Sequence, residues 1–342
     1  MVADRRPPAV ARVLTQVTTT VRRHGLVRPG GTVLASVSGG PDSVCLLYTL
    51  WYLRRLLKIR IEVFHFDHGL RADSRDDARY VRRICDRLRV PIHVRTATEA
   101  PRRGMSVEAW ATSARTSAAD DVRRAILADV VAEGHTLDDQ AETVLLNLIR
   151  GSSLEGVAGI DPGGLDAALV QPMLDVTRDE VEAFCRALHL RPRRDPMNED
   201  PRFLRAAIRD GVLPLLEAST GRGVRRAIVR TSDNLRRDRD ELYASGLQAF
   251  TRLVDRADPD LVRIDAAGLA ALPPSLAARV ARLVAYDVLA TDAAAPWSKP
   301  AIEALLDLAA GRPGRRRDLP DGMVARRDRT HVVVERARGA RG

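Results

Sequence analysis

Short β-branched, apolar runs alternate with amphipathic stretches through the first 220 residues, and this alternation is the strongest constraint on the fold. Thr32 to Val37 reads as a buried strand and Ser43 to Leu57 as a helix. Arg60 to Phe66 reads as a strand with inward positions at Ile61, Val63 and His65, and Ser74 to Leu88 as an amphipathic helix. Ile92 to Arg95 and Asp129 to Glu133 are further strands, and Ser106 to Leu127 and Asp138 to Arg150 further helices. In the last of these, Val144, Leu145, Leu148 and Ile149 are expected to anchor the helix in the core. Strands joined by helical crossovers and short turns point to an α/β fold with a doubly wound, mainly parallel sheet. Ligands of such sheets sit beyond the carboxyl ends of the strands. Three polar motifs fall at those ends: one at Ser38, one from His65 to Arg71, and one from His135 to Glu142.

After Leu216 the pattern changes. Residues 223 to 256 form a charged stretch expected to be helical, with Arg225, Arg226, Arg236, Arg237 and Arg239. Helices are expected over 275 to 290 and 299 to 309. A turn at Pro320-Asp321-Gly322 and a strand at Thr330 to Val334 follow. This reads as a smaller helical domain with a short β tail.

With 45% hydrophobic residues the chain can bury a real core. No apolar run reaches the roughly 18 residues of a membrane helix, and Met1 to Ala11 lacks the apolar centre of a secretory signal, so no membrane partner and a cytoplasmic location are expected. Cys45, Cys85 and Cys185 are odd in number and far apart, which suggests neither a disulfide framework nor a metal knuckle. The net charge of +10 is compatible with a polyanionic partner such as RNA. Of the 55 basic residues only Lys58 and Lys299 are lysines, a bias that a GC-rich genome also produces without accounting for the excess of basic over acidic residues.

The segment Val33 to Ser43 is a strand, a glycine turn and a helix start. Gly39 and Gly40 let the backbone approach an anion, Ser38 and Ser43 offer hydroxyls, and the helix amides and dipole favour negative charge at the same place. Pro41 suits the first helical turn. Asp42 would repel a phosphate unless it holds Mg²⁺ between itself and the phosphates. The loop is neither GxxxxGK[ST] nor GxGxxG.

His65, Asp67 and His68 are close enough to ligate a metal, yet no matching Cys/His pair stands at a useful spacing. Arg71 is placed to face a phosphate instead. In the third motif Thr136 can cap the helix with Asp139 three residues on, and Asp138 and Glu142 share a face. His135 precedes the helix and Arg150 follows it. Capping acids alone would account for Asp138 and Asp139 but not for His135 and Glu142.

The loop Ser38-Gly39-Gly40-Pro41-Asp42-Ser43 resembles the SGGxDS signature of the N-type ATP pyrophosphatases. His65 to Arg71 resembles the HxxHxLR stretch of the tRNA(Ile)-lysidine synthetases, and Gly134 to Gly151 resembles their GHxxDDQAETVLxxLxRG block. Pro172 to Arg178 is similar to their RPLLDVxR. Asp195 to Asp200 with Phe203, Arg205, Ile208 and Arg209 is similar to DPSNxDxxFxRNxIR, and Gly314 to Gly322 to GRRxDLPxG.

The resemblance implies an adenine nucleotide alpha hydrolase-like fold. It divides the chain into an N-terminal helical extension (1–28), a PP-loop ATP pyrophosphatase catalytic domain (29–218) and a helical tRNA-binding domain with a β tail (219–342). It also implies ATP and Mg²⁺ as cofactors, and as partners free L-lysine and the isoleucine tRNA with a CAU anticodon. ATP would adenylate the C2 oxygen of the wobble cytidine, and the lysine amine would displace AMP. Carried over residue by residue, Asp42, His135, Asp138, Glu142 and Arg205 become candidate catalytic residues. Ser38, Gly39, Gly40, Pro41, Asp42, Ser43, His68 and Arg71 become candidates for ATP, and Glu108, Arg115, Asp139, Arg150 and Arg209 for substrate. A homodimer is an open assembly for such a chain.

Several positions depart from the pattern. Thr112 and Thr116 stand where an Arg and a Tyr are expected, Gln171 replaces an Arg, and Ala206 and Ala207 replace a polar and a basic residue. Alternatives are therefore another PP-loop enzyme, such as a tRNA thiolase or a small-molecule ligase, or an RNA-binding paralogue without chemistry. A thiolase of this superfamily generally needs paired cysteines.

Overall fold

The computed structural model describes residues 6–69, 74–97, 107–164, 167–193, 204–221, 223–258, 261–289 and 297–337. The chain divides into two compact units, Met1–Asp233 and Asn234–Gly342.

The first unit is built on a five-stranded parallel sheet of order β3-β2-β1-β4-β5. Its strands are β1 (Thr32–Ser36), β2 (Arg60–Asp67), β3 (Ile92–Thr96), β4 (Val130–Ala132) and the short β5 (Leu169–Val170). β1 is central. Val33 pairs with Ile61 of β2 on one side and with Val130 of β4 on the other. Alternate residues of β1 face opposite sides of the sheet. Val33 and Ala35 join the main core with α1 (Pro8–His24), α2 (Pro41–Leu57), α3 (Ser74–Leu88) and, after β5, α7 (Arg178–Ala187). Leu34 faces the other way, with Phe64, Phe66 and Val131, against Ala119 and Val122 of α4 (Val107–Ala125). Both faces are covered, which explains why β1 is apolar almost throughout rather than alternating.

Helix α1 carries a buried stripe at Val10, Val13, Leu14, Val17 and Val21, the spacing of one helical face, and ends on Gly25 at φ +62°. It packs in the same core as α2 and α7.

Helix α5 (Leu137–Ile149) follows β4, and the single-turn α6 (Leu154–Val157) precedes β5. α5 is anchored differently from the sequence expectation. Leu137, Ala141 and Val144 are buried, whereas Leu148 and Ile149 are each 59% exposed. The helix leaves the sheet as it proceeds. Its middle turns are covered by a satellite cluster of Ile208, Leu213 and Val229, with Leu145 and Leu146 packed at its edge. Those partners come from α8 (Leu204–Ala207), which runs through a π-turn (Ile208–Val212) into α9 (Leu213–Thr220), and from the start of α10 (Val224–Leu253).

The second unit contains an antiparallel sheet of order β6-β7-β10-β9-β8 and helices α11 (Ala266–Ala270), α12 (Pro274–Leu289) and α13 (Lys299–Ala310). The β tail thus holds β8 (Arg316–Leu319), β9 (Met323–Arg327) and β10 (His331–Arg336), with the Pro320–Gly322 turn between β8 and β9. β6 (Val254–Asp258) and β7 (Leu261–Asp265) add two strands. The charged run expected to stay helical to residue 256 turns to strand at Val254. There it pairs with Ile264 of β7, whose inward Val262 and Ile264 alternate with period two. Val262, Ile264, Val332 and Val334 pack on Val280, Val284, Ile302 and Leu305.

Among the described residues no helix is long and apolar enough to cross a membrane. Cys45, Cys85 and Cys185 are buried free thiols.

Candidate active site

In the strand order, β1 and β4 are neighbours from which the chain winds outward in opposite directions. A crevice opens at such a switch point, beyond the strands' carboxyl ends. The loop after β1 is Val37 to Gly40 and the loop after β4 is Glu133 to Thr136, so the phosphate loop and the third motif meet there.

Val37 is pinned twice, by its amide to the Phe64 carbonyl (2.8 Å) and by its carbonyl to His65 Nδ1 (2.8 Å). His65 is thus held through Nδ1, while its Nε2 is buried without a hydrogen-bond partner among the described residues, and its pKa is lowered, chiefly by burial. Gly39 turns the chain at φ +100°, a conformation that a side chain would strain. Gly40 caps α2 and Pro41 begins it. The Ser43 hydroxyl ties the loop together: it donates to the Gly40 carbonyl (3.0 Å), accepts from the Gly39 amide (3.1 Å) and lies 3.2 Å from the Ser38 hydroxyl. Arg193 donates its amide to the Gly39 carbonyl (2.9 Å) and its Nε to Asp77 (2.8 Å), which brings a cation to the loop. His68 stands at the end of β2 with its ring 4.8 Å from Phe66 and 6.4 Å from Trp110. Arg71 and the side chain of Glu108 lie outside the described residues.

Thr136 and Asp139 form a reciprocal capping box at the start of α5. That leaves Asp138, Asp139 and Glu142 pointing at three arginines. Asp138 accepts the Arg178 amide on Oδ2 (2.8 Å), and its Oδ1 lies 3.0 Å from Arg225 Nε. Asp139 Oδ1 pairs with Arg205 (3.2 Å) and Arg178 (3.5 Å). The almost fully buried Glu142 pairs with Arg205 Nε (2.9 Å) and Arg178 (3.4 Å). Burial alone would raise the pKa of Asp139, but His135, Arg205 and Arg178 together hold it below its ordinary value. For Glu142 burial prevails, helped by Asp139, and its pKa is raised despite the two arginines.

Asp42 sits behind this cluster. Burial, then the Asp139 charge, push its carboxyl up to about 7, against the pull of Arg178. Its Oδ1 is buried without a hydrogen-bond partner among the described residues. Such an oxygen fits a Mg²⁺ whose remaining ligands are phosphate oxygens and water. Among the described residues no group of three side chains could hold a metal by itself, so Asp42 with the phosphates of ATP is the arrangement that the donor set supports.

His135, Asp138, Asp139, Glu142, Arg205 and Asp42 are thus brought together. Arg115 reaches the same end of the sheet, 3.7 Å from Glu133. Arg209 lies in the π-turn after Arg205 and pairs with Asp210. Arg150 stands at the far end of α5, about 18 Å along the axis from Asp138 at 1.5 Å per residue. Arg178, Arg193 and Arg225 did not stand out as site residues in the sequence. Arg178 closes the Pro172 to Arg178 block, which is a readable signal; Arg225 carries none beyond its charge. Among the departures from the family pattern, Thr112 and Thr116 are exposed on α4 and Ala206 is buried. Thr116 lines a cavity of about 560 Å³ with Ser113, Asp120 and Glu133, space that a tyrosine would fill in part.

A family model described as a PP-loop domain matches residues 10–216. The tRNA(Ile)-lysidine synthase of Symbiobacterium thermophilum is 35% identical, over 96% of this chain and 69% of that protein. That of Leifsonia xyli is 38% identical, over 77% and 78%. The chain spans 59% of the tRNA(Ile)-lysidine synthase of Clostridioides difficile, at 32% identity. Among solved structures, a U34-tRNA thiolase from Methanococcus maripaludis superposes with a TM-score of 0.58 at 20% identity, over 66% of this chain and 78% of that one, a likeness of fold. Matching the PP-loop model over more than half its length, and these relatives over most of theirs, the chain belongs to the tRNA(Ile)-lysidine synthase family of PP-loop proteins.

Proposed function

We propose that this chain joins free L-lysine to the wobble cytidine of the isoleucine tRNA with a CAU anticodon, in the cytoplasm, with ATP split to AMP and pyrophosphate. The cytidine C2 oxygen attacks the α-phosphorus and pyrophosphate leaves. The lysine side-chain amine then attacks C2, and the C2–O bond breaks to release AMP. The observation that carries this reading is the meeting of the Ser38–Ser43 loop with the Asp138, Asp139, Glu142 cluster at one switch point.

In this proposal the amides and hydroxyls from Ser38 to Ser43 hold the pyrophosphate, with His68 and Arg71 beside the nucleotide. Mg²⁺, bound by Asp42 and the phosphates, would supply countercharge to the leaving group. Asp138 and Glu142 orient cytidine and attract the lysine ammonium, and Asp139 keeps Arg205 in place. Arg205 meets phosphate or tRNA, and Glu108, Arg115, Arg150 and Arg209 serve the substrate side. Preorganised charges of this kind stabilise the charge that develops as pyrophosphate and AMP depart. Residues 219–342 would hold the tRNA, supported by the exposed Arg226, Arg230 and Arg237 on α10.

The test supplies the purified protein with ATP, Mg²⁺, labelled lysine and individual tRNAs. Label confined to the CAU isoleucine tRNA is the expected result. ATP turnover without lysine transfer would instead favour another PP-loop enzyme, and neither activity an RNA-binding paralogue. The thiols give a thiolase reading no support: burial first of all pushes Cys85 and Cys185 up to about 12 and Cys45 well above its ordinary value, which keeps all three protonated.

A further inference from the structure

Glu133 is the first residue of the loop after β4, one residue before Gly134, with its carboxylate largely buried. Three side chains surround it. Gln171, 2% exposed, donates its Nε2 to Glu133 Oε2 at 3.2 Å. Arg115 Nη2 lies 3.7 Å from Oε1. His135 Nδ1 lies 3.6 Å from Oε2, beyond hydrogen-bond reach, and instead meets Gln171 Oε1 at 3.0 Å.

The chemistry of these groups fixes a direction. An ionised carboxylate only accepts hydrogen bonds, so the Gln171 face turned to Glu133 must be its NH₂. The other face, turned to His135, is then the carbonyl, which only accepts. His135 Nδ1 must therefore carry the hydrogen. In a neutral imidazole the second nitrogen is then the lone pair. His135 Nε2 has no partner among the described residues, and a third of the side chain is exposed, next to the Asp139 carboxylate.

We propose that Glu133, acting through Gln171, is a positioning residue that fixes His135 as its Nδ1–H tautomer and so presents Nε2 as an acceptor to an N–H of the amine substrate. The role at the amine rests on the function proposed above; the tautomer does not. Arg115 places a countercharge 3.7 Å from the Glu133 carboxylate. A donor-only side chain at position 171 would reverse the chain of reasoning. It would point hydrogens at both Glu133 and His135, leaving the lone pair on Nδ1 and the hydrogen on Nε2.

The test is the nitrogen spectrum of the full chain labelled with ¹⁵N-histidine, read at a pH where His135 is neutral and assigned by the signal missing from His135→Gln. The expected result is Nδ1–H in the wild type, Nε2–H in Gln171→Arg, and a mixture of both in Glu133→Gln, where the carboxamide can serve as donor or acceptor. The other six histidines report whether each variant is folded. Nε2–H in the wild type would overturn the proposal, as would a folded Gln171→Arg that keeps Nδ1–H. Lysine transfer by Glu133→Gln is expected to fall in proportion to the share of Nε2–H that the mixture contains, with the loss in kcat rather than in KM for ATP. A protein showing the expected tautomers but no lysine transfer to any tRNA would retire the proposed function and leave the positioning intact.

Discussion

Gly134 and Asp42 are so close that a Cβ on Gly134 would lie 3.0 Å from the Asp42 carbonyl oxygen and 3.3 Å from the Ser43 amide nitrogen. Both neighbours are backbone at the start of a helix and cannot rotate away. Gly134→Ala should therefore push the α5 entrance off the phosphate loop. The expected cost is about 1–3 kcal/mol in stability, with KM for ATP raised at least tenfold. Denaturant titration and ATP turnover measure the two effects. An alanine variant that binds ATP normally would mean the two loops are not as tightly joined as this contact requires.

Asp42 gives a pH signature. Its carboxyl is raised from 3.8 to about 7 in the folded chain, so the stability it contributes is complete below pH 4 and is lost as pH rises through 7. Asp42→Asn removes that loss. Without ligand, the variant should be more stable than the wild type at pH 8 by roughly 2–4 kcal/mol and about equal at pH 4, while ATP turnover disappears. Urea midpoints of both proteins at the two pH values decide it, equal midpoints at pH 8 counting against the raised pKa.

Arg178 touches all three acids of α5. Arg178→Met keeps the amide bond to Asp138 but leaves Arg205 as the one arginine paired with Asp139 and the buried Glu142 among the described residues. A loss of about 2–4 kcal/mol at pH 7 is expected. Asp139 is held below its ordinary value, so its share of stability is present at neutral pH and fades as pH falls through its folded pKa. The penalty should therefore shrink on acidification. A penalty independent of pH would show that Arg178 acts through packing rather than charge.

Asp138 uses both carboxylate oxygens, one for an amide and one for Arg225. Asp138→Asn retains an acceptor for the amide and loses the charge. A small change in stability, about 1 kcal/mol, should accompany a loss of lysine transfer of at least about a hundredfold. Undiminished transfer by a well-folded variant would remove Asp138 from the chemistry.

Local features of the site were legible in the sequence because their causes are local. Gly39 must be glycine to turn at φ +100°, Pro41 can only open a helix, and Thr136 with Asp139 encodes a cap within four residues. The period-two and period-3.6 patterns likewise marked β1 to β4 and α2 to α5, whereas β5, α6 and α8 are too short to carry such a pattern.

What only the tertiary structure decided is which distant groups meet. The pairing of β1 with both β2 and β4 joins residues 39 and 134 at one crevice, and strand order leaves no mark on local periodicity. The same holds for Arg178, Arg205 and Arg225, whose partners on α5 lie 36 to 87 residues away in the chain. It also holds for Leu148 and Ile149, apolar in the right rhythm yet exposed because α5 has left the sheet by that turn. At Val254, pairing with Ile264 turned a charged helical run into strand, since a ladder partner satisfies the backbone as well as the next helical turn would.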